Sequence, residues 1–168
     1  MRIAVAHLVL AVFCHSAMAQ AGRTNRVVCA EEAPICARAN AQRDETTVEK
    51  SIRETRKSEL LWSVPRWLNV VRINEDGSSI LVESKSTLLP QTSLTRETVL
   101  LAMYRRGELV REFTAAEVFS SAEEFNTLKR APAWAKRLPS QNTSVARYLL
   151  VSGRTVRVNL STTTLESE

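Results

Sequence analysis

The sequence predicts an α+β fold that consists mainly of antiparallel β hairpins, with two short helices inserted near residues 114–130. Three observations predict it: short apolar runs alternate with turn signals from about Val48 onward, three of the four glycines stand in such turns, and two capping boxes interrupt the strands. The hairpins are expected to form a blade-like sheet or a small sandwich. With 168 residues, 44% of them hydrophobic and 24% charged, the chain is about one ordinary globular domain in size and composition.

Residues 1–19 have the pattern of a secretory signal peptide. Arg2 supplies a positive charge, an apolar run extends over Ile3–Phe13, and Ser16–Ala19 places small residues where signal peptidase recognises them. The apolar run is too short for a membrane span, which needs about 20 residues, and no later run is longer. We therefore expect cleavage after Ala19, export to the periplasm or the cell exterior, and no transmembrane segment.

Two alternatives to this signal peptide remain. The apolar run suits a buried N-terminal helix as well. Cys14 suits a lipoprotein, although Phe13 stands where lipoprotein processing needs a small residue.

Residues 20–47 are predicted to be a flexible N-terminal segment. The stretch 20–26 is polar, and 37–49 is charged with few large apolar residues, which is typical of a linker or a short helix. Between them lie Cys29 and Cys36. In an exported chain this pair predicts a short-loop disulfide, with two free thiols as the alternative. The spacing is not that of a C-x-x-C redox motif, and two thiolates are too few for a structural zinc ion.

Residues 48–168 are predicted to be the β-rich domain, in which turn residues mark successive hairpins. Glycine favours these turns because it tolerates positive φ. A fourth hairpin without glycine is predicted from 48–54 and 59–64. The hairpins recur about every 40 residues, which is typical of a repeat, although chance similarity among hairpins explains the spacing equally well. The three turns that contain glycine are Asn74–Gly77, Arg105–Gly107 and Ser152–Gly153.

Two helix starts interrupt the hairpins. Thr114 and Glu117 form one capping box, and Ser121 and Glu124 form another. Pro132 is expected to stop the second helix. The apolar residues that would face the core from these helices are Val118, Phe119, Phe125 and Leu128.

Asp76-Gly77 precedes the apolar run Ile80–Val82, Trp62 stands ahead of this unit, and the strand Gly107–Arg111 follows it. In these features the units 68–82 and 101–113 resemble the hairpins of uncharacterised bacterial secreted proteins with β-propeller-like blades. The resemblance extends from about Val48 to Leu165 and implies a fold without implying a catalytic residue. Propellers have typically 4–8 blades, whereas this chain has room for about three, so a closed ring from one chain is not expected.

Both histidines, His7 and His15, lie in the predicted signal peptide. The mature chain would therefore lack the usual general base, which excludes Ser-His-Asp triads, Cys-His dyads and HExxH zinc sites. No phosphate-binding or dinucleotide-binding glycine motif is present, and we expect no cofactor and no metal. The sequence predicts a protein that is not an enzyme. The alternative is a carboxylate-dependent hydrolase acting on an envelope or extracellular polymer, with Glu108 and Glu112 as its candidate residues.

Arginines near two of the turns are the candidate binding residues. A basic sheet face suits an anionic envelope polymer or lipid headgroups, whereas outward residues of half-buried strands are the alternative. Trp62, Trp67 and Trp134 are interpreted as core residues rather than a stacking platform. The sequence thus predicts an exported, non-catalytic binding or structural module whose partner is an envelope protein or an anionic polymer, and no nucleic acid. The candidate arginines are Arg105, Arg106, Arg111, Arg154 and Arg157.

Overall fold

A computed structural model describes residues 23–52, 54–84, 93–131, 133–140 and 142–168. In these residues, twelve strands form three four-stranded antiparallel sheets, and two short helices follow the second sheet. The predicted α+β class with mainly antiparallel strands is confirmed, and the sheets are open. The predicted signal peptide and Pro132 lie outside the described residues.

Each sheet is a meander in which strands that follow one another in the chain are neighbours. Sheet 1 contains β1 (Arg26–Cys29), β2 (Ile35–Asn40), β3 (Glu45–Ile52) and β4 (Lys57–Val64). Sheet 2 contains β5 (Asn69–Ile73), β6 (Ser79–Glu83), β7 (Val99–Arg105) and β8 (Glu108–Thr114). The helices are α1 (Ala115–Val118) and α2 (Ala122–Leu128). Sheet 3 contains β9 (Ala135–Leu138), β10 (Val145–Leu150), β11 (Thr155–Asn159) and β12 (Thr164–Ser167).

All four predicted hairpins are confirmed, as β3–β4, β5–β6, β7–β8 and β10–β11. The turn glycines have positive φ, for example +93° at Gly107. At Gly107 space is limiting as well, because a Cβ there would lie 2.9 Å from the carbonyl oxygen of Ser63. This turn therefore needs glycine both for its backbone conformation and for its contact with β4.

The N-terminal segment differs from its prediction. Instead of a flexible stretch with a linker or short helix, residues 26–47 form β1, β2 and the first part of β3. In β2 burial alternates, with Ile35, Ala37 and Ala39 facing inward. Alanine has low β propensity, so the inward face of this strand is inconspicuous in the sequence.

The predicted disulfide joins β1 to β2. Cys29 and Cys36 are directly opposite each other in the strand register, and their sulfur atoms are 2.07 Å apart. The bond therefore closes a hairpin that belongs to sheet 1.

Sheet 2 lies between the other two sheets and is buried on both faces. Ile80 and Val82 belong to the apolar cluster shared with sheet 1. Leu81 and Met103 belong to the cluster shared with sheet 3 and the helices. The central strands are therefore almost continuously apolar, as is usual for a sheet covered on both sides.

The two helices are confirmed at their predicted starts. The amide of Thr114 donates to Glu117 Oε2 over 2.8 Å, and the amide of Glu124 donates to the hydroxyl of Ser121 over 3.1 Å. Phe125 and Leu128 pack into the core, and α2 ends at Leu128. Within the described ranges, neither helix is long or apolar enough to span a membrane.

Candidate functional site

A cleft of about 540 Å³ lies between sheet 1 and sheet 2, where the chain passes from β4 to β5. Sheet 2 supplies its floor. Val82, Ala102 and Glu112 are directly opposite one another on β6, β7 and β8, so their side chains share the face that is turned toward sheet 1. Ala102 is the smallest side chain of this row, and its size leaves room for the cleft between its neighbours.

A fixed network forms one wall. Arg23 forms an ion pair with Asp44, and Asp44 Oδ1 accepts a hydrogen bond of 3.0 Å from the amide of Trp67. The Trp67 indole donates to the carbonyl of Thr24 over 3.0 Å. Because the Arg23 guanidinium also lies over the indole ring, 5.9 Å from its centre, the ring is covered and cannot serve as a stacking platform.

Asn69 connects three strands at the back of the cleft. Its side chain is buried, its Oδ1 accepts a hydrogen bond from Arg26, and its Nδ2 lies 3.5 Å from Glu83 Oε2. Arg26 thus fixes the orientation of the Asn69 amide, and that amide in turn lies beside one oxygen of Glu83.

Three polar side chains of the lining have no side-chain hydrogen bond or ion pair to any described residue: Arg66, Glu112 and Tyr104. Arg66 and Glu112 are exposed, whereas Tyr104 is only 6% exposed. The cleft therefore presents one carboxylate, one guanidinium and one phenol hydroxyl that can bind a ligand. The side chain of Glu83, the residue after Val82 on β6, lies on the opposite face of sheet 2.

Four of the five arginines that the sequence singles out are used in contacts within the chain. Arg105 donates to the carbonyl of Ser161 over 3.0 Å, and Arg111 donates to the carbonyl of Thr163 over 2.9 Å. Both bonds connect sheet 2 to the turn between β11 and β12. Arg105 and Arg111 thus hold two sheets together.

Arg154 and Arg157 bind carboxylates. Arg154 Nε lies 2.8 Å from Glu124 Oε1, and Arg157 lies 2.7 Å from Glu166. The Arg154 hydrogen bonds hold the pKa of the Glu124 carboxyl at about 2, well below its ordinary value. Arg106 is exposed and has no side-chain partner among the described residues. The structure therefore distributes these five arginines among several contacts and does not bring them together at one site.

The two candidate carboxylates of the alternative hydrolase point to opposite faces of sheet 2. Glu108 is paired with Arg105 and Glu112 with Ala102, and a β-bulge inserts Val110 between them. The bulge reverses the alternation of side chains along β8. Glu112 consequently faces the cleft, and Glu108 faces the side of sheet 3.

A second cavity, of about 620 Å³, lies beside Arg72, Glu31 and Arg147. Its charged groups are engaged: Arg72 donates to the carbonyls of Asn142 and Thr143 over 2.9 Å, and Arg147 is paired with Glu168. This cavity therefore offers a ligand fewer unpaired groups than the cleft.

Sequence reasoning singled out Glu112 but missed the site to which it belongs. Arg66, Glu83 and Tyr104 stand far apart in the chain and share no motif. They meet only through the strand register and the packing of two sheets, which the sequence pattern does not specify. The one local signal in the sequence is Ala102, a small residue inside an apolar strand, which indicates that packing can leave a cavity at this position.

No group of three or more histidine, cysteine, aspartate or glutamate side chains that could hold a metal ion occurs among the described residues. The chain matches no protein-family model and no curated protein. The function of the cleft is therefore inferred from the chemistry of its own lining residues.

Proposed function

We propose that this chain is an exported, non-catalytic binding module and that the cleft between sheets 1 and 2 is its binding site. The observation that carries the proposal is the form of the cleft: it is concave, its floor is apolar, and a few unpaired polar groups converge on it. This combination is typical of sites for small ligands, which are usually preformed cavities of about 300–1,000 Å³.

A hydrolase is the second candidate because Glu83 and Glu112 both line the cleft. A hydrolase of this kind needs two carboxyl groups that face each other across one site. The side chain of Glu83 lies on the sheet-3 face of β6, whereas Glu112 faces sheet 1 from β8, so the two carboxyl groups do not form such a pair. Binding without catalysis agrees better with this arrangement.

The architecture that we propose for this module is a stack of three blade-like sheets. Its support is that the first strands of the sheets adjoin: Arg26 of β1 binds Asn69 of β5, and Arg137 of β9 donates to the carbonyl of Val71 in β5 over 3.1 Å. The outer faces of sheets 1 and 3 carry ion pairs such as Arg38–Glu49 and Arg157–Glu166. Such polar faces suit the ends of an open stack.

We propose that the chain is exported because residues 1–19 have the pattern of a signal peptide. The Cys29–Cys36 disulfide supports this proposal. Disulfides persist in oxidising compartments and are rare in reducing ones. The periplasm or the cell exterior is therefore the proposed location.

Amide chemical shifts test the binding site directly. Isotopically labelled chain would be titrated with four probes of different chemistry: 6-aminohexanoate, 1,5-diaminopentane, glutarate and glucose. We expect at least one probe to shift the amides of Asn69, Ala102 and Tyr104. Shifts confined to the hairpin of Arg105 and Arg106, or no shift with any probe, would contradict the proposed site.

A further inference from the structure

We propose that the outer edges of sheets 1 and 2 form a surface that binds a second copy of this chain. Each edge contributes two consecutive apolar residues, and we call the surface that they form the double edge. Its residues are Leu60 and Leu61 on β4 and Leu109 and Val110 on β8. None of the four lines the cleft, so this inference is independent of the proposed function.

Both edges are built from the same short motif. Glu59–Leu61 in β4 corresponds to Glu108–Val110 in β8, because each has a glutamate followed by two apolar residues. The turn before each strand contains an arginine in the left-handed region, Arg56 with φ +54° and Arg106 with φ +49°. The hairpins β3–β4 and β7–β8 therefore share both the motif and the turn conformation.

A β-bulge lies at the same place in each motif. Leu61 is unpaired between Leu60 and Trp62, which are opposite consecutive residues of β3. Val110 is unpaired in the same way on β8. Bulges are over-represented at sheet edges, where they re-aim side chains and interrupt the pairing of strands. Each edge therefore presents apolar side chains and resists the regular addition of a further strand.

Most of the exposed large apolar side chains in the described ranges belong to the double edge, four out of five. Leu60 is 58% exposed and Leu109 is 49% exposed. The two edges adjoin, because a Cβ at Gly107, two residues before Leu109, would lie 2.9 Å from the carbonyl oxygen of Ser63 in β4. Neighbouring exposed apolar side chains usually mark an interaction site.

The charges beside the apolar residues indicate the kind of partner. On β4 they belong to Lys57 and Glu59, and in the hairpin β7–β8 they belong to Arg106 and Glu108. All four side chains are exposed, and none has a hydrogen-bond or ion-pair partner among the described residues. The glutamates would repel an anionic bilayer, and the two cations would repel a basic partner.

A second copy carries both signs of charge on the same surface. Because the motif occurs twice in one chain, a two-fold axis that sets β4 of one copy beside β8 of the other brings unlike edges together at both contacts. Each apolar pair then meets the apolar pair of the other motif. The mixed charges and the duplicated motif therefore favour the chain itself as the partner.

Sedimentation equilibrium measures the proposed dimer. We expect a reversible equilibrium between monomer and dimer with a Kd of about 100 μM or tighter, since even small interfaces reach the micromolar range. A chain that stays monomeric up to about 1 mM would overturn the inference.

Substitutions at exposed positions locate the interface. We expect Leu60→Lys and Leu109→Lys each to weaken dimerisation at least about tenfold, because each would bury an unpaired charge between the copies. Val27→Lys is the matched control: Val27 is 54% exposed on β1, the opposite edge strand of sheet 1. Thermal unfolding checks that the variants are folded. A dimer that persists with both lysines, or an equal loss in Val27→Lys, would overturn the inference.

Vesicles test the other occupant of the double edge. We expect no cosedimentation of the chain with phosphatidylglycerol vesicles, because Glu59 and Glu108 would be repelled. Vesicle binding by a chain that does not dimerise would assign the surface to a membrane and overturn the inference. Binding of small probes at the cleft should be the same in Leu60→Lys and in the unmodified chain, so failure of the dimer leaves the proposed function intact.

Discussion

At the scale of single residues, arginines and carboxylates decide how the layers of this molecule are joined. Arg154 is the clearest example, since it connects the turn after β10 to the start of α2. It donates to both oxygens of Glu124, over 2.8 and 3.0 Å, and to the carbonyl of Val118. Ser120 and Ser152 donate to the same carboxylate. Glu124 is therefore a centre of hydrogen bonding between the helices and sheet 3.

Replacing Glu124 with Gln should lower the free energy of unfolding by about 1–3 kcal/mol, because hydrogen bonds to a half-buried charge are lost. Chemical denaturation at pH 7 measures the change. Glu123→Gln is the matched control: it removes a charge from the same first turn of α2, and the Glu123 side chain has no hydrogen-bond or ion-pair partner among the described residues. Equal losses in the two variants would mean that the helix dipole, and not Arg154, accounts for the effect.

The contribution of Glu124 to the unfolding free energy depends on pH with a defined sign. The pKa of Glu124 is about 2 in the folded chain, below its ordinary value of 4.5, so the stabilisation is present above the ordinary pKa and is lost as the pH falls toward 2. We expect the unfolding free energy of the unmodified chain to fall more steeply between about pH 5 and pH 2 than that of Glu124→Gln. Parallel pH profiles would contradict this assignment.

At the scale of elements, the turns fix where each hairpin reverses and what it touches. Gly107 and Gly153 both have φ near +90° in tight turns. Their surroundings differ, because a Cβ at Gly107 would meet the carbonyl of Ser63, whereas a Cβ at Gly153 would meet no atom within 4 Å. Alanine substitutions at the two turns therefore separate the energetic cost of backbone strain from the cost of steric crowding.

Gly153→Ala should cost about 1–2 kcal/mol of unfolding free energy, the strain of a left-handed alanine. Gly107→Ala should cost a further 1–3 kcal/mol or so, because β4 must also move away from the new methyl group. Thermal or urea unfolding of the two variants measures the difference. If both variants lose the same stability, the turn of β7–β8 does not support β4 as closely as the structure indicates.

The same elements indicate how much of the fold the sequence specifies. Hairpins that contain glycine turns and apolar runs, and helices with capping boxes, are predicted from local signals because their causes are local. β1, β2, β9 and β12 are short or poor in β-branched inward residues, and their strand conformation depends on pairing with a neighbour. Local patterns therefore recover the strong hairpins and miss the strands that neighbours impose.

At the scale of the whole molecule, sheet 2 shares one apolar cluster with sheet 1 and another with sheet 3, and sheets 1 and 3 each carry exposed ion pairs. The cleft lies between sheets 1 and 2, where Ala102 is the smallest side chain in its row across sheet 2. Of the unpaired polar side chains that line the cleft, the sequence distinguishes Glu112 as a candidate site residue. The others come together through sheet stacking, which no short motif encodes.

Filling the cleft is the most direct test of its role as the binding site. Ala102→Leu adds three carbon atoms to the floor of the cleft, and Arg106→Ala removes an exposed arginine outside it, one of the five candidate binding residues of the sequence analysis. Binding of the probe that shifts the cleft amides of the unmodified chain, followed by amide chemical shifts, should be lost in Ala102→Leu and unchanged in Arg106→Ala, with both variants folded. Unchanged binding in Ala102→Leu, or loss in Arg106→Ala, would contradict the assignment of the cleft.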